Sequence, residues 1–179
     1  MRLLIIIVGT MTLLLLPQPA AQRVTVKGVH LCCGSCLSTA NDALSDIDGV
    51  TDASSDLNSK VVSFSVASPD AAEAGIAALA KAGFFGTAFL DGKGIPYPKS
   101  GVKKGAKSNV FTLTGVHLCC TSCVSASQKA LQEVKGVTLI DIDRNERTIK
   151  LTGDSIDITA AVAALNKAGF FGKLQESKK

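Results

Sequence analysis

The chain has no tryptophan, one tyrosine and two histidines, and aromatic residues make up only 4% of its 179 positions. It has no basic stripe interleaved with aromatics, so nucleic-acid binding has no pattern to rest on. Its net charge of +4 reads instead as a mildly basic, solvated surface. No paired carboxylates, Ser/His/Asp set or phosphate loop appears. Gly83-Phe84-Phe85-Gly86 is a turn and strand start rather than a nucleotide cradle. Asp56, Asp141 and Asp143 lack the spacing of an oxygen-ligand loop and receive no metal role. Catalysis beyond thiol exchange has no support, and the chain is read as a non-enzyme. With so few rings, its cores must be built from Val, Ile, Leu, Ala and pairs of Phe.

A long apolar run is also missing. Leu3 to Leu16 is nearly unbroken, but a membrane-spanning helix needs about 18 or more apolar residues. Arg2 before the run and Pro17-Gln18-Pro19-Ala20-Ala21 after it make a secretory signal over 1–21. No cysteine ends the run, which disfavours a lipid anchor. The expectation is an exported protein, periplasmic or extracellular, that meets a membrane only through an uncleaved signal. In that oxidising setting a C-x-x-C pair can be disulfide-bonded.

Cysteine is scarce but concentrated. The segment Val29-His30-Leu31-Cys32-Cys33-Gly34-Ser35-Cys36 returns as Val116-His117-Leu118-Cys119-Cys120-Thr121-Ser122-Cys123, which accounts for all six cysteines. A second echo pairs Lys81-Ala82-Gly83-Phe84-Phe85-Gly86 with Lys167-Ala168-Gly169-Phe170-Phe171-Gly172. The chain is therefore two copies of one small unit. Each copy reads β-α-β-β-α-β from its periodicity and turn signals. Ser68-Pro69-Asp70 opens a helix that Gly83 closes. That order predicts an α+β chain of two tandem ferredoxin-like domains, each an antiparallel sheet with two helices on one face. The boundaries are 22–90 and 109–175, with a tail at 176–179. Residues 91–108, rich in Gly, Pro and Lys, read as an exposed flexible linker.

The cysteine loop follows the first strand, and Cys36 falls at the start of a helix. Free N–H groups and partial positive charge at a helix N-terminus favour thiolate. Two close thiolates are soft donors that suit Cu(I), with Zn(II) or another soft ion less favoured. Two sulfurs also leave an ion under-coordinated. That suits transfer and makes a poor structural zinc site, which needs four ligands.

These residues resemble the heavy-metal-associated domain of copper chaperones and of the N-terminal arms of metal-pumping ATPases. That family carries M-x-C-x-x-C after its first strand in the same element order. Leu31 and Leu118 stand where its Met stands, and the resemblance implies that they are core anchors. Cys33 with Cys36, and Cys120 with Cys123, match its metal-binding cysteines. Gly83-Phe84 and Gly169-Phe170 resemble its Gly-Tyr/Phe facing the metal. Cys32, Cys119, His30 and His117 depart from the pattern and are available as supplementary donors. Their alternatives are a small buried hydrophobe for each cysteine and a half-exposed strand-end residue for each histidine. One Phe of each pair is expected in the core, and the other as a shield for the metal loop.

Three functions compete. The leading one is an exported protein that binds, buffers or relays Cu(I), exchanging it with a metal-donor or metal-acceptor protein. The tether would raise the effective concentration of one site for the other. The second is a thiol–disulfide oxidoreductase. Against it, the element order is not thioredoxin-like, no proline separates the cysteines, and Cys32 beside Cys33 complicates a two-electron cycle. The third is an interaction module whose thiols are incidental. A structural disulfide is a weak alternative, because a C-x-x-C bridge closes a very short loop.

Overall fold

The computed structural model describes residues 21–175. The expected leader, apart from Ala21, and the tail 176–179 lie outside the described residues. In the first copy the elements are β1 (Gln22–Lys27), α1 (Gly34–Ser45), β2 (Val50–Asp56), β3 (Val61–Val66), α2 (Pro69–Lys81) and β4 (Thr87–Leu90). A short β5 (Lys93–Ile95) follows. The second copy runs β6 (Lys107–Thr114), α3 (Thr121–Gln132), β7 (Val137–Asp143), β8 (Thr148–Asp157), α4 (Ile158–Lys167) and β9 (Lys173–Leu174). The strand orders are β2-β3-β1-β4-β5 and β7-β8-β6-β9, with every neighbour antiparallel. Setting β5 aside, both are the ferredoxin-like order expected from sequence.

Alternation along the strands decides which face is covered. Val24 and Val26 of β1 and Val62, Phe64 and Val66 of β3 are buried together with Ala40 and Leu44 of α1 and Ile76 and Leu79 of α2. Ser68 caps α2 by accepting from the Ala71 N–H, and Asp157 caps α4 by accepting from the Ala160 N–H. Gly75 lets α2 lie close to the sheet, because a Cβ there would stand 2.6 Å from the Phe64 ring. Leu31 and Leu118 are buried at the two cysteine loops, as core anchors.

Three segments differ from the sequence expectation. The last strand of each copy begins later, because Phe84 and Phe170 form a backbone bridge to one another across the copies. Strand β8 runs on to Asp157, zipped to the start of β6 at Lys107 and Ser108. The segment read as a flexible linker carries β5, which folds back on β4 through Asp91 and Gly92, both at positive φ. Asp-Gly is a strong signal for such a two-residue turn, but the lysines and glycines around it suggested open chain. Tyr97 then lies on Phe85, with ring centroids 4.7 Å apart. Ser100 and Ala106 accept backbone hydrogen bonds from Leu174 and Ile158. Among the described residues no helix is long and apolar enough to cross a membrane.

Gly75→Ala tests the helix–sheet approach. Helix propensity alone would stabilise the chain by about 1 kcal/mol. Crowding against Phe64 should outweigh that gain, by a net loss of about 1 kcal/mol. Urea denaturation reads the sign; a higher midpoint would mean that the ring is free to move aside.

Candidate metal centre

Cys33 and Cys120 are the N-caps of α1 and α3, in extended backbone with no side-chain cap. Their carbonyls accept the first helical hydrogen bonds, Cys36 N–H to Cys33 at 3.1 Å and Val124 N–H to Cys120 at 3.2 Å. In α3 the free first-turn N–H groups of Ser122 and Cys123 reach the Cys120 sulfur. The hairpins hold these loops from the other side. Lys60 and Arg147, both at positive φ, accept from the Val29 and Val116 N–H groups at 3.1 Å. The Lys60 ammonium donates to the Leu31 carbonyl. Arg144 donates to the carbonyls of Leu118 and Cys119, the latter at 2.7 Å.

The sequence presents two thiol loops as separate sites, but in the structure they face each other and make one. Cys32 Sγ lies 3.4 Å from Cys120 Sγ and 3.5 Å from Cys123 Sγ. The reciprocal separations are 3.8 Å from Cys119 to Cys33 and 3.5 Å from Cys119 to Cys36. Cys36 and Cys123 meet at the centre, 4.0 Å apart and fully buried. Within each copy the C-x-x-C sulfurs are 3.7 Å apart. All six are free thiols, and the four outer ones are half-buried. The extra cysteines, Cys32 and Cys119, thus lie at the seam between the copies rather than in either core.

The seam is built from the second sequence echo. The Gly169 carbonyl accepts from the His30 N–H at 3.2 Å and the Phe85 N–H at 3.1 Å, and the Gly83 carbonyl accepts from the Phe171 N–H at 2.9 Å. Gly83 and Gly169 have φ near +90°, at 93° and 88°. A Cβ on Gly83 would collide with the backbone from Gly115 to His117, and one on Gly169 with that from Gly28 to His30. Only glycine permits this approach. Arg147 spans the seam, donating to Ala82 at 2.7 Å and to Gly115 at 2.9 Å.

Both histidines line the cluster. His30 stacks on Phe170 at 4.3 Å and His117 on Phe84 at 4.2 Å, each ring meeting the other copy. Their Nε2 atoms are buried without a hydrogen-bond partner. A ring nitrogen of His117 lies within 4.8 Å of the Cys36, Cys119 and Cys123 sulfurs, and one of His30 lies as close to Cys32 and Cys123. Phe84 and Phe170 are wholly buried, Phe171 is largely so, and Phe85 covers Tyr97. The three aspartates have no part here; Asp56 and Asp143 accept hydrogen bonds inside their own hairpin turns.

Burial and charge divide the thiols. Burial pushes the Cys36 thiol up, but the backbone N–H groups and neighbouring thiols outweigh it and bring the pKa below its ordinary value. Burial pushes its counterpart Cys123 far up, and the charge on Cys36 adds to that. Cys32 is raised to about 12, by burial first. Cys119 is raised for the same reason. Cys120 is lowered to about 6, chiefly by a backbone N–H at the helix start. Adjacent thiolates cannot all ionise, so the metal-free group titrates as a unit. Burial also lowers His30, helped by Lys60, and takes His117 down to about 4, helped by Arg147.

Sequence reasoning located all six thiols and both histidines but missed Lys60, Arg144 and Arg147. Their signal was a basic residue at the turn of each hairpin, which on a surface usually means only solvation.

No protein-family model matches the chain, and no curated protein matches it. Among solved structures, oxidized MerP from Ralstonia metallidurans CH34 is 23% identical with a TM-score of 0.36, over 40% of this chain and 100% of that one. The N-terminal soluble domains of Bacillus subtilis CopA are 17% identical with a TM-score of 0.33, over 86% of this chain and 94% of theirs. The apo HMA domain of a copper chaperone for superoxide dismutase is 23% identical with a TM-score of 0.34, over 48% of this chain and 89% of that one.

Two pH readouts follow from the site. Cys120, with its pKa near 6, is thiolate above that pH. Its alkylation by iodoacetamide should rise through about pH 6 and be flat at neutral pH, while Cys32 stays protonated and slow. Mass spectrometry of the modified peptides checks the order; equal rates at all six would contradict it. The His117 imidazole, titrating at about 4, should stay neutral between pH 5.5 and 8, roughly the range where a free imidazole changes charge, so its NMR shifts there should lack the large change that ring protonation gives.

Strand order assigns the architecture: both copies have the ferredoxin-like fold.

Proposed function

We propose that this chain is an exported, non-enzymatic protein that binds Cu(I) and buffers it or passes it to a donor or acceptor protein. One observation carries the reading: six free thiols meet with sulfur separations of 3.4–4.0 Å around two helix N-termini. So many soft donors, with neutral imidazoles beside them and no carboxylate among them, select a soft ion. Cys33, Cys36, Cys120 and Cys123 are the ligands carried over from the sequence pattern. Cys32 and Cys119 join them by position. Binding releases the thiol protons, so affinity rises with pH.

Exchange starts at Cys33 and Cys120, which are half-exposed, while Cys36 and Cys123 are buried. An incoming donor thiolate bonds to the ion as one of these sulfurs leaves and takes up a proton. The oxidoreductase alternative needs one defined disulfide. Here Cys36 lies within 4.0 Å of Cys32, Cys33, Cys119 and Cys123, so oxidation has no single product.

The test is an anaerobic titration of the reduced protein with Cu(I) against a chromogenic competitor. The protein should strip the competitor, and replacing Cys33, Cys36, Cys120 and Cys123 together by Ser should abolish this. Failure to take Cu(I) from even a weak competitor removes the copper reading. Turnover in a disulfide-reduction assay would restore the redox one.

A further inference from the structure

The two C-x-x-C pairs suggest two ions bound independently, but the sulfur positions do not fit that arrangement. With a metal–thiolate bond of about 2.3 Å, a linear two-coordinate ion needs sulfurs about 4.6 Å apart, and a planar three-coordinate ion needs about 4.0 Å. The C-x-x-C sulfurs are 3.7 Å apart in both copies. They are too close for a linear pair and near the edge of a triangle.

The cross-copy separations complete such triangles. Cys33, Cys36 and Cys119 have edges of 3.7, 3.5 and 3.8 Å. Cys36, Cys119 and Cys123 have edges of 3.5, 3.6 and 4.0 Å. Cys32, Cys36 and Cys123 have edges of 3.6, 4.0 and 3.5 Å. Cys32, Cys120 and Cys123 have edges of 3.4, 3.7 and 3.5 Å. Each of the four contains sulfurs from both copies, and neighbouring triangles share an edge.

We propose that the six thiols form one polynuclear thiolate cluster shared by the two copies, which takes up to four Cu(I) ions. The inference rests on the soft-metal reading above and goes beyond it in number, sharing and coupling. Each ion is three-coordinate; Cys33 and Cys120 each bind one ion, Cys32 and Cys119 each bridge two, and the central Cys36 and Cys123 each touch three. No electron is transferred. Every S–H bond still present breaks and its proton goes to solvent, and four monovalent ions against six thiolates leave two net negative charges. Lys60, Arg144 and Arg147 stand beside the loops that carry those sulfurs. Because every triangle spans the seam, the cluster also fastens the copies together, and opening the seam would release its ions. The extra cysteines have their function here: without Cys32 and Cys119 only Cys33, Cys36, Cys120 and Cys123 remain, and none of the four triangles survives.

Native mass spectrometry during anaerobic Cu(I) titration of the reduced protein, with X-ray absorption on the loaded form, tests this. The expected result is more than two Cu(I) per chain, up to four, filling cooperatively, with three-sulfur coordination and a short Cu···Cu vector. Cys32→Ser with Cys119→Ser should cut the uptake to two ions or fewer and remove that vector. Gly83→Ala with Gly169→Ala, which prises the seam apart, should leave two ions bound independently. Saturation of the unaltered protein at two independent ions would overturn the shared cluster and leave the copper reading intact. No uptake at all would overturn both. Both of these outcomes are read on the unaltered protein, so they hold even if a variant misfolds.

Discussion

Everything at the thiol site depends on a close approach of backbone to backbone. Gly83 lies against the loop that precedes the second cysteine cluster, and Gly169 lies against the loop that precedes the first. Both adopt a conformation that any side chain would strain, and both lack the Cβ that would hold the copies apart. From that contact follow the bridge between Phe84 and Phe170, the stacking of each histidine on the other copy's phenylalanine, and the meeting of Cys36 with Cys123. Remove the approach and the chain has two separate loops of three thiols each. Keep it and the chain has one nearly enclosed group of six sulfurs.

Such a group is electrostatically awkward without charge-compensating partners. Two thiolates about 4 Å apart repel by ~4 kcal/mol at an effective dielectric constant of about 20. The metal-free group therefore keeps most of its protons. Cys120 and Cys36 ionise first because backbone N–H groups reach them, from the first turn of α3 for Cys120 and from the loop at Cys32 and Cys33 for Cys36, while Cys32, Cys119 and Cys123 are held protonated by burial and by the charge already formed. A soft monovalent cation takes the place of those protons, and on the proposed reading its bonds to sulfur supply the affinity. The neutral histidines beside the sulfurs add no charge, and the hairpin cations, which stiffen the loops through their carbonyls, offset part of the anionic field.

The segment between the copies serves the same end. A freely moving tether would let the thiol loops separate. Instead β5 extends the first sheet, Tyr97 covers Phe85, and Ser100 and Ala106 bond to the second copy. The chain between the copies is thereby laid down along both, which lowers the entropy cost of bringing their loops together. Its Asp91-Gly92 turn was visible in the sequence. Its attachment was not, because the partners Leu174 and Ile158 lie far along the chain and contribute only backbone groups.

The sequence by itself determined the repeat, the order of elements in each copy, the caps of α2, and the placement of a thiol pair at a helix start. These are properties of neighbouring residues: periodicity, turn chemistry, and the spacing of cysteines along one loop. Tertiary structure alone decided that the two thiol loops meet, that Cys32 and Cys119 lie at the seam rather than in a core, and that Lys60, Arg144 and Arg147 hold the loops. Those facts depend on contacts between residues distant in the chain, such as Cys36 with Cys123 (|i−j| of 87), many made through backbone atoms. The repeated Lys-Ala-Gly-Phe-Phe-Gly was the trace that the meeting of the loops left in the sequence. Taken locally it is a helix end and a strand start, and only the opposing copy shows why the glycine must stand there.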